Sequence, residues 1–178
     1  MASRSANESL KAVDAVRRGA WLRLRATERA PEIRDYGLIG DCHGAALVSR
    51  HGSIDWYCAP RFDAQPCFGR LLDWEGGGHC SISPAAAEYE SARAYVPDTM
   101  VLETLFRTAT GSVRILDFLA ILDQHSRDPR PHLIRLVDGI DGVVELAVEL
   151  SPRFDFGDIK PWIRHQENGA YIAVGGDH

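Results

Sequence analysis

From Ile33 onward, short apolar runs recur, separated by Gly, Asp, Asn and Pro. Runs of four to eight residues bounded by turn formers predict β-strands rather than helices. Ala45 to Ser49 and Ile54 to Cys58 flank Arg50-His51-Gly52-Ser53, a predicted hairpin. Met100 to Thr108 and Val113 to Phe118 flank Ala109-Thr110-Gly111-Ser112, a second. Leu133 to Val137 and Val143 to Leu150 flank Asp138-Gly139-Ile140-Asp141-Gly142, a third. In its last strand Val144, Leu146, Val148 and Leu150 alternate with Glu145 and Glu149, which predicts one buried face and one wet face. Phe68, Leu71 and Leu72 predict a short helix within Pro66 to Asp73. Asp123 to Pro131 reads as a long surface loop.

Together these elements predict an all-β fold, an antiparallel β-sandwich. Residues 1–31 stand apart as a basic leader. Leu10, Val13, Val16 and Ala20 recur at helical spacing, so residues 8–29 read either as a helix or as a disordered segment ending at Pro31. The sandwich domain is expected over residues 32–178.

Composition narrows the function. Twenty Lys and Arg against 25 Asp and Glu leave a net charge of −5, which speaks against nucleic acid as a partner. No run approaches the roughly 20 apolar residues of a membrane helix, and no signal-peptide pattern opens the chain, so a cytoplasmic protein is expected. Cys42, Cys58, Cys67 and Cys80 form no C-x-x-C pair, and the histidines are scattered; neither a metal nor a cofactor is expected. Nucleophile-elbow, H-E-x-x-H and phosphate-loop signatures are absent, and Gly76-Gly77-Gly78 is a turn.

The densest chemistry runs from Asp35 to Asp63. Ile54 and Trp56 are expected to anchor a strand in the core, and Pro60 to end it rigidly. Arg61, Phe62 and Asp63 then project from the exit. A guanidinium, an aromatic face and a carboxylate suit a sugar; the same residues also suit an Arg–Asp pair fixing the loop, with Phe62 in the core. Trp56, Tyr57, Phe62, Trp74 and Trp162 leave open a stand-alone carbohydrate-binding module, and a protein-interaction sandwich is a further alternative.

This stretch resembles the start of glycoside hydrolase family 15 proteins, the glucoamylase- and trehalase-like enzymes. The matching pieces are Asp35-Tyr36 with Ile39-Gly40-Asp41, Ala46-Leu47-Val48-Ser49, Gly52-Ser53-Ile54-Asp55-Trp56 with Cys58, and Pro60-Arg61-Phe62-Asp63. Phe68 to Asp73, Tyr95 to Thr104, Val113 to Phe118 and Pro152 to Gly157 continue the likeness. The chain departs from the pattern at His43-Gly44 and at Ala64. The resemblance implies an incomplete supersandwich, the N-terminal domain of an inverting enzyme for α-glucosidic bonds. Two glutamates in a later (α/α)6 barrel would supply the acid and base. No catalytic residue is expected here, and Asp41, Asp55, Asp63 and Asp117 receive no such role. Arg61, Phe62 and Asp63 are the substrate-proximal candidates. The expected partners are that barrel, an α-glucoside, and further copies of the chain joined through unpaired strands.

Overall fold

The computed structural model describes residues 21–25, 30–121 and 131–175. Thirteen strands are seen among them: β1 (Leu22–Arg25), β2 (Tyr36–Gly40), β3 (Ala45–Ser49), β4 (Ser53–Cys58), β5 (Pro66–Phe68), β6 (His79–Pro84), β7 (Glu88–Tyr95), β8 (Leu102–Arg107), β9 (Gly111–Leu119), β10 (Leu133–Gly142), β11 (Leu146–Ser151), β12 (Trp162–His165) and β13 (Tyr171–Val174). They build a five-stranded sheet, β1-β7-β8-β9-β10, and a six-stranded sheet, β11-β6-β4-β3-β2 with β5 attached to β4. β12 and β13 form a separate hairpin. All strand pairings among the described residues are antiparallel, as the turn-punctuated sequence predicts.

The core fills the space between the two sheets. Ile39, Ala46, Val48, Ile54 and Tyr57 of one sheet meet Leu102 and Leu119 of the other. Beside them Ile82 packs with Tyr89, Phe106, Val113 and Ile115. Polar side chains also cross the gap. Arg93 on β7 donates from Nη1 to the carbonyls of Asp35 and Val48, at 3.0 and 2.9 Å. Arg135 on β10 holds Asp117 on β9 through Nε at 2.7 Å and Nη2 at 3.3 Å. It also donates to the carbonyls of Cys80 and Gly52, at 2.8 and 2.7 Å. Both sheets are therefore tied through one buried guanidinium, whose fork geometry suits several acceptors at once.

Gly52 is a position where no other residue fits. Its φ is +79°, and a Cβ there would lie 2.2 Å from the Ile82 carbonyl oxygen. It closes the β3–β4 turn by donating to the Ser49 carbonyl.

Several elements differ from the sequence expectation. Residues 22–25, inside the stretch 8–29 read as a helix or a disordered segment, form β1 and pair with β7; residues 8–20 and 26–29 of that stretch, and residues 123–130 of the expected surface loop, lie outside the described residues. The short helix expected at Pro66 to Asp73 is instead β5 followed by a turn in which the Leu72 amide reaches the Gly69 carbonyl. Pairing of Tyr57 with Phe68 draws that segment into the sheet, an outcome of tertiary contacts. The third hairpin does not exist. Asp138 to Gly142 continue β10 beside β9, with a bulge between Gly139 and Asp141, while β11 crosses to the other sheet and pairs with β6. The alternating face of β11 is half right. Leu146 and Val144 pack on the core, but Val148 and Leu150 are 69% and 59% exposed.

The β3–β4 pair carries a further irregularity. Leu47 opposes Trp56 and Val48 opposes Ile54, so Asp55 is an unopposed bulge residue. The extra residue reverses the alternation. Ile54 and Tyr57 enter the same core cluster, and Trp56, expected as an anchor, is left half-buried outside it.

His51 and His79 add an acid sensitivity. His51 shares a 3.0 Å hydrogen bond with the Tyr89 hydroxyl, and His79 Nε2 lies 3.4 Å from Glu149. Burial lowers both below the ordinary imidazole value. For His51, Asp35 and Asp55 oppose the shift; for His79, Arg70 reinforces it while Glu149 and Asp55 oppose it. The unfolded chain thus takes up protons first, and stability present at neutral pH is lost as pH falls below about 6.5 and through the lower folded values. Melting temperatures between pH 7.5 and 5 are expected to fall, with a smaller fall in His51→Gln/His79→Gln. An unchanged slope in that variant would refer the acid sensitivity to other groups.

Candidate functional site

The exits of strands at one end of the six-stranded sheet supply the candidate site. β4 ends at Cys58, and after Pro60 the chain turns with the Ala64 amide on the Arg61 carbonyl at 3.0 Å. The Phe62 amide donates to the His43 carbonyl at 3.0 Å, which docks this loop on the β2–β3 turn. That turn is itself held by Asp41, whose Oδ1 accepts the amides of His43 and Gly44 at 2.9 and 2.7 Å. The turn also lines a groove of about 920 Å³. Tyr95, Met100 and Phe118 form much of the remaining wall.

Arg61 and Asp63 pair with each other. Nε meets Oδ1 at 3.0 Å and Nη2 meets Oδ2 at 3.4 Å, with both side chains largely in solvent. The hydrogen bond from Arg61 holds the Asp63 carboxyl below its ordinary value. Phe62 is 61% exposed, so it is not a core residue. The loop combines the two sequence readings: its ion pair is internal, yet its ring faces water.

Sequence reasoning passed over a buried polar cluster. Asp55 is fully buried at the β-bulge and accepts hydrogen bonds from the Tyr36 hydroxyl, at 2.8 Å, and from the Ser53 hydroxyl. Burial, then the Asp55 charge, pushes the Tyr36 phenol well above its usual value. The Asp55 carbonyl accepts the Leu71 amide, which fastens the following loop over the cluster. In that loop the Arg70 guanidinium stacks 3.9 Å above the Trp74 ring and donates to the Trp74 carbonyl. No spacing rule marks this group, because Tyr36 comes from another strand; the alternation of Ser53 and Asp55 in β4 was its trace in the sequence.

Each carboxylate singled out from sequence therefore has a structural partner. Asp41 caps a turn, Asp55 binds two hydroxyls, Asp63 binds Arg61, and Asp117 binds Arg135. A general acid or base must reach a substrate proton, which the fully buried Asp55 and Asp117 do not. The aromatic residues form no common platform. Tyr57 lies in the core against Phe68, Trp74 lies under Arg70, and Trp162 is exposed on the β12–β13 hairpin. Among the described residues no group of three or more His, Cys, Asp or Glu is placed to hold a metal ion, and no helix is long and apolar enough to cross a membrane.

Comparison with known proteins gives this architecture a lineage. A family described as "Trehalase-like, N-terminal" matches residues 16–177. A trehalase of Mycolicibacterium smegmatis is 35% identical over 140 residues, covering 71% of this chain and 21% of that protein. A trehalase of Mycobacterium tuberculosis is 34% identical, covering 71% and 20%. A trehalase of Thermoplasma volcanium is 29% identical over 144 residues, covering 80% and 23%. The chain thus spans about a fifth of the length of these relatives. No solved structure matches it. The match begins before β1 and runs past β13, so both sheets and the hairpin lie inside it, and this protein belongs to the trehalase-like N-terminal domain family.

Proposed function

We propose that the chain is the non-catalytic β-sandwich domain of a glycoside hydrolase of the glucoamylase/trehalase type, family 15, acting on α-glucosidic bonds such as that of trehalose. The observation that carries this reading is the run of similarity to trehalases that stops at about a fifth of their length. The acid and base would come from a catalytic (α/α)6 barrel, the partner on which residues 32–178 would pack. The structural engagement of Asp41, Asp55, Asp63 and Asp117 supports that division of labour. Arg61, Phe62 and Asp63 would border the sugar pocket. The reading is of a cytoplasmic protein, since all four cysteines stand as free thiols, as a reducing compartment keeps them.

A stand-alone carbohydrate-binding module is the weaker reading, because Tyr57 and Trp74 are packed within the domain and do not line an open face. The deciding experiment is glucose release from trehalose and maltose by the purified chain. None above the blank is expected. Release that Asp55→Asn or Asp117→Asn abolishes, in protein that remains folded, would overturn the reading.

A further inference from the structure

The tetrapeptide P-R-F-D occurs twice, at Pro60–Asp63 and at Pro152–Asp155. β4 and β11 both run antiparallel to β6, so they point the same way and both copies leave the same end of the sheet. The segment between β4 and the end of β5 links the two exits. The Cys67 carbonyl accepts the Arg153 amide at 3.0 Å, and Gln65 Nε2 donates to Asp155 Oδ1 at 3.2 Å. The copies are not identical in use. Phe62 of the first is exposed, whereas Phe154 of the second bridges to Ile159 and the next aromatic residue, Phe156, is the exposed one, at 57%.

Phe156 is held out by an unusual backbone. Asp155 and Phe156 have φ of +50° and +55°, consecutive left-handed residues with side chains, which are uncommon and cluster at ligand-binding places. Folding gains little from a ring left in water. The Arg61–Asp63 pair likewise uses two of the five guanidinium donors and leaves others free.

We infer that the two P-R-F-D exits form one composite site for a pyranose unit of an α-glucoside. Phe62 and Phe156 supply apolar faces for the C–H side of the ring. Arg61, Asp63, Gln65 and Asp155 supply donors and acceptors for its hydroxyls. Aromatic faces set among short-range polar groups fit a ligand that is itself apolar on its faces and polar at its rim. The choice of an α-glucoside rests on the function proposed above; the two-loop construction rests on the shared sheet end and on the Cys67–Arg153 and Gln65–Asp155 hydrogen bonds.

The experiment is NMR titration of the whole chain with trehalose, maltose and, as the β-linked control, cellobiose. Trehalose or maltose is expected to bind with Kd of about 1–10 mM, as suits an open site, and to shift residues of both loops. Phe62→Ala and Phe156→Ala, which remove exposed rings, are each expected to weaken binding about tenfold or more. Leu38→Ala, on β2, leaves it unchanged. Undiminished binding in Phe156→Ala beside a loss in Phe62→Ala overturns the composite site and leaves a single loop. Equal affinity for cellobiose overturns the α-glucoside assignment. Absence of shifts in either loop overturns the site altogether, while the non-catalytic role stands or falls separately on glucose release.

Discussion

Arg135→Ala is expected to destabilise the domain more than any other single substitution considered. The substitution strands Asp117, fully buried, without its counter-charge, and removing one partner of such a pair costs about 3–5 kcal/mol. It also takes a guanidinium donor from the Cys80 carbonyl and one from the Gly52 carbonyl, which keeps the Ile82 amide at 3.1 Å. A domain with a typical stability of about 5–15 kcal/mol loses a large part of it in one step. Urea titration followed by circular dichroism measures the effect. The double variant Asp117→Leu/Arg135→Met separates the contributions. It removes the stranded charge but still lacks the guanidinium donors to the Cys80 and Gly52 carbonyls, so recovery is expected to be partial, with about 1–3 kcal/mol still missing. Wild-type stability in Arg135→Ala would mean that the guanidinium does not tie the sheets.

The chain is also expected to self-associate. β10 ends one sheet and β11 ends the other, and among the described residues each pairs with a single strand. The two ends face each other across an opening of about 330 Å³ lined by Leu133, Arg135 and Leu150 together with Cys67, Phe68 and Cys80. Beside it Val148 and Leu150 are more than half exposed. A ten-residue edge with free amides and carbonyls, next to an apolar opening, is a template for another strand. Sedimentation at concentrations of tens of micromolar is expected to show dimers or larger species. Val148→Lys/Leu150→Lys places charge in the contact and is expected to weaken association about tenfold or more. A chain that stays monomeric at the highest attainable concentration removes this edge as an interface between copies.

Local signals were sufficient where strand and turn are neighbours. The β3–β4 hairpin stands where Arg50-His51-Gly52-Ser53 placed it, because the tight turn requires a residue of positive φ and Gly52 supplies it. The β8–β9 hairpin lies where Ala109 to Ser112 implied, within two residues. The family motifs, too, are contiguous strings, so the resemblance was visible without any knowledge of folding.

Distant pairing was not legible. Asp138 to Gly142 look like a turn by composition, yet β9 offers a ladder that carries them on as strand. Pro66 to Phe68 look helical by the spacing of Phe68, Leu71 and Leu72, yet the end of β4 captures them. The bulge at Asp55 adds one residue to a strand and exchanges the partners of everything after it, so period-two reasoning sent Trp56 inward and missed Tyr57. The candidate loop shows the same division. Its residue types and rigid proline exit were readable, whereas its proximity to the second P-R-F-D copy depends on β4 and β11 both flanking β6.

The sequence by itself determined the class: short apolar runs broken by turn formers can bury one face each only by stacking sheets, and that fact is written in local order. Only the tertiary structure decided which strands share a sheet, which alternation a bulge reverses, and which distant charges, such as Asp117 and Arg135, meet in the core. Those outcomes depend on contacts between segments far apart in the chain, and a one-residue change of register sends every later side chain to the opposite face.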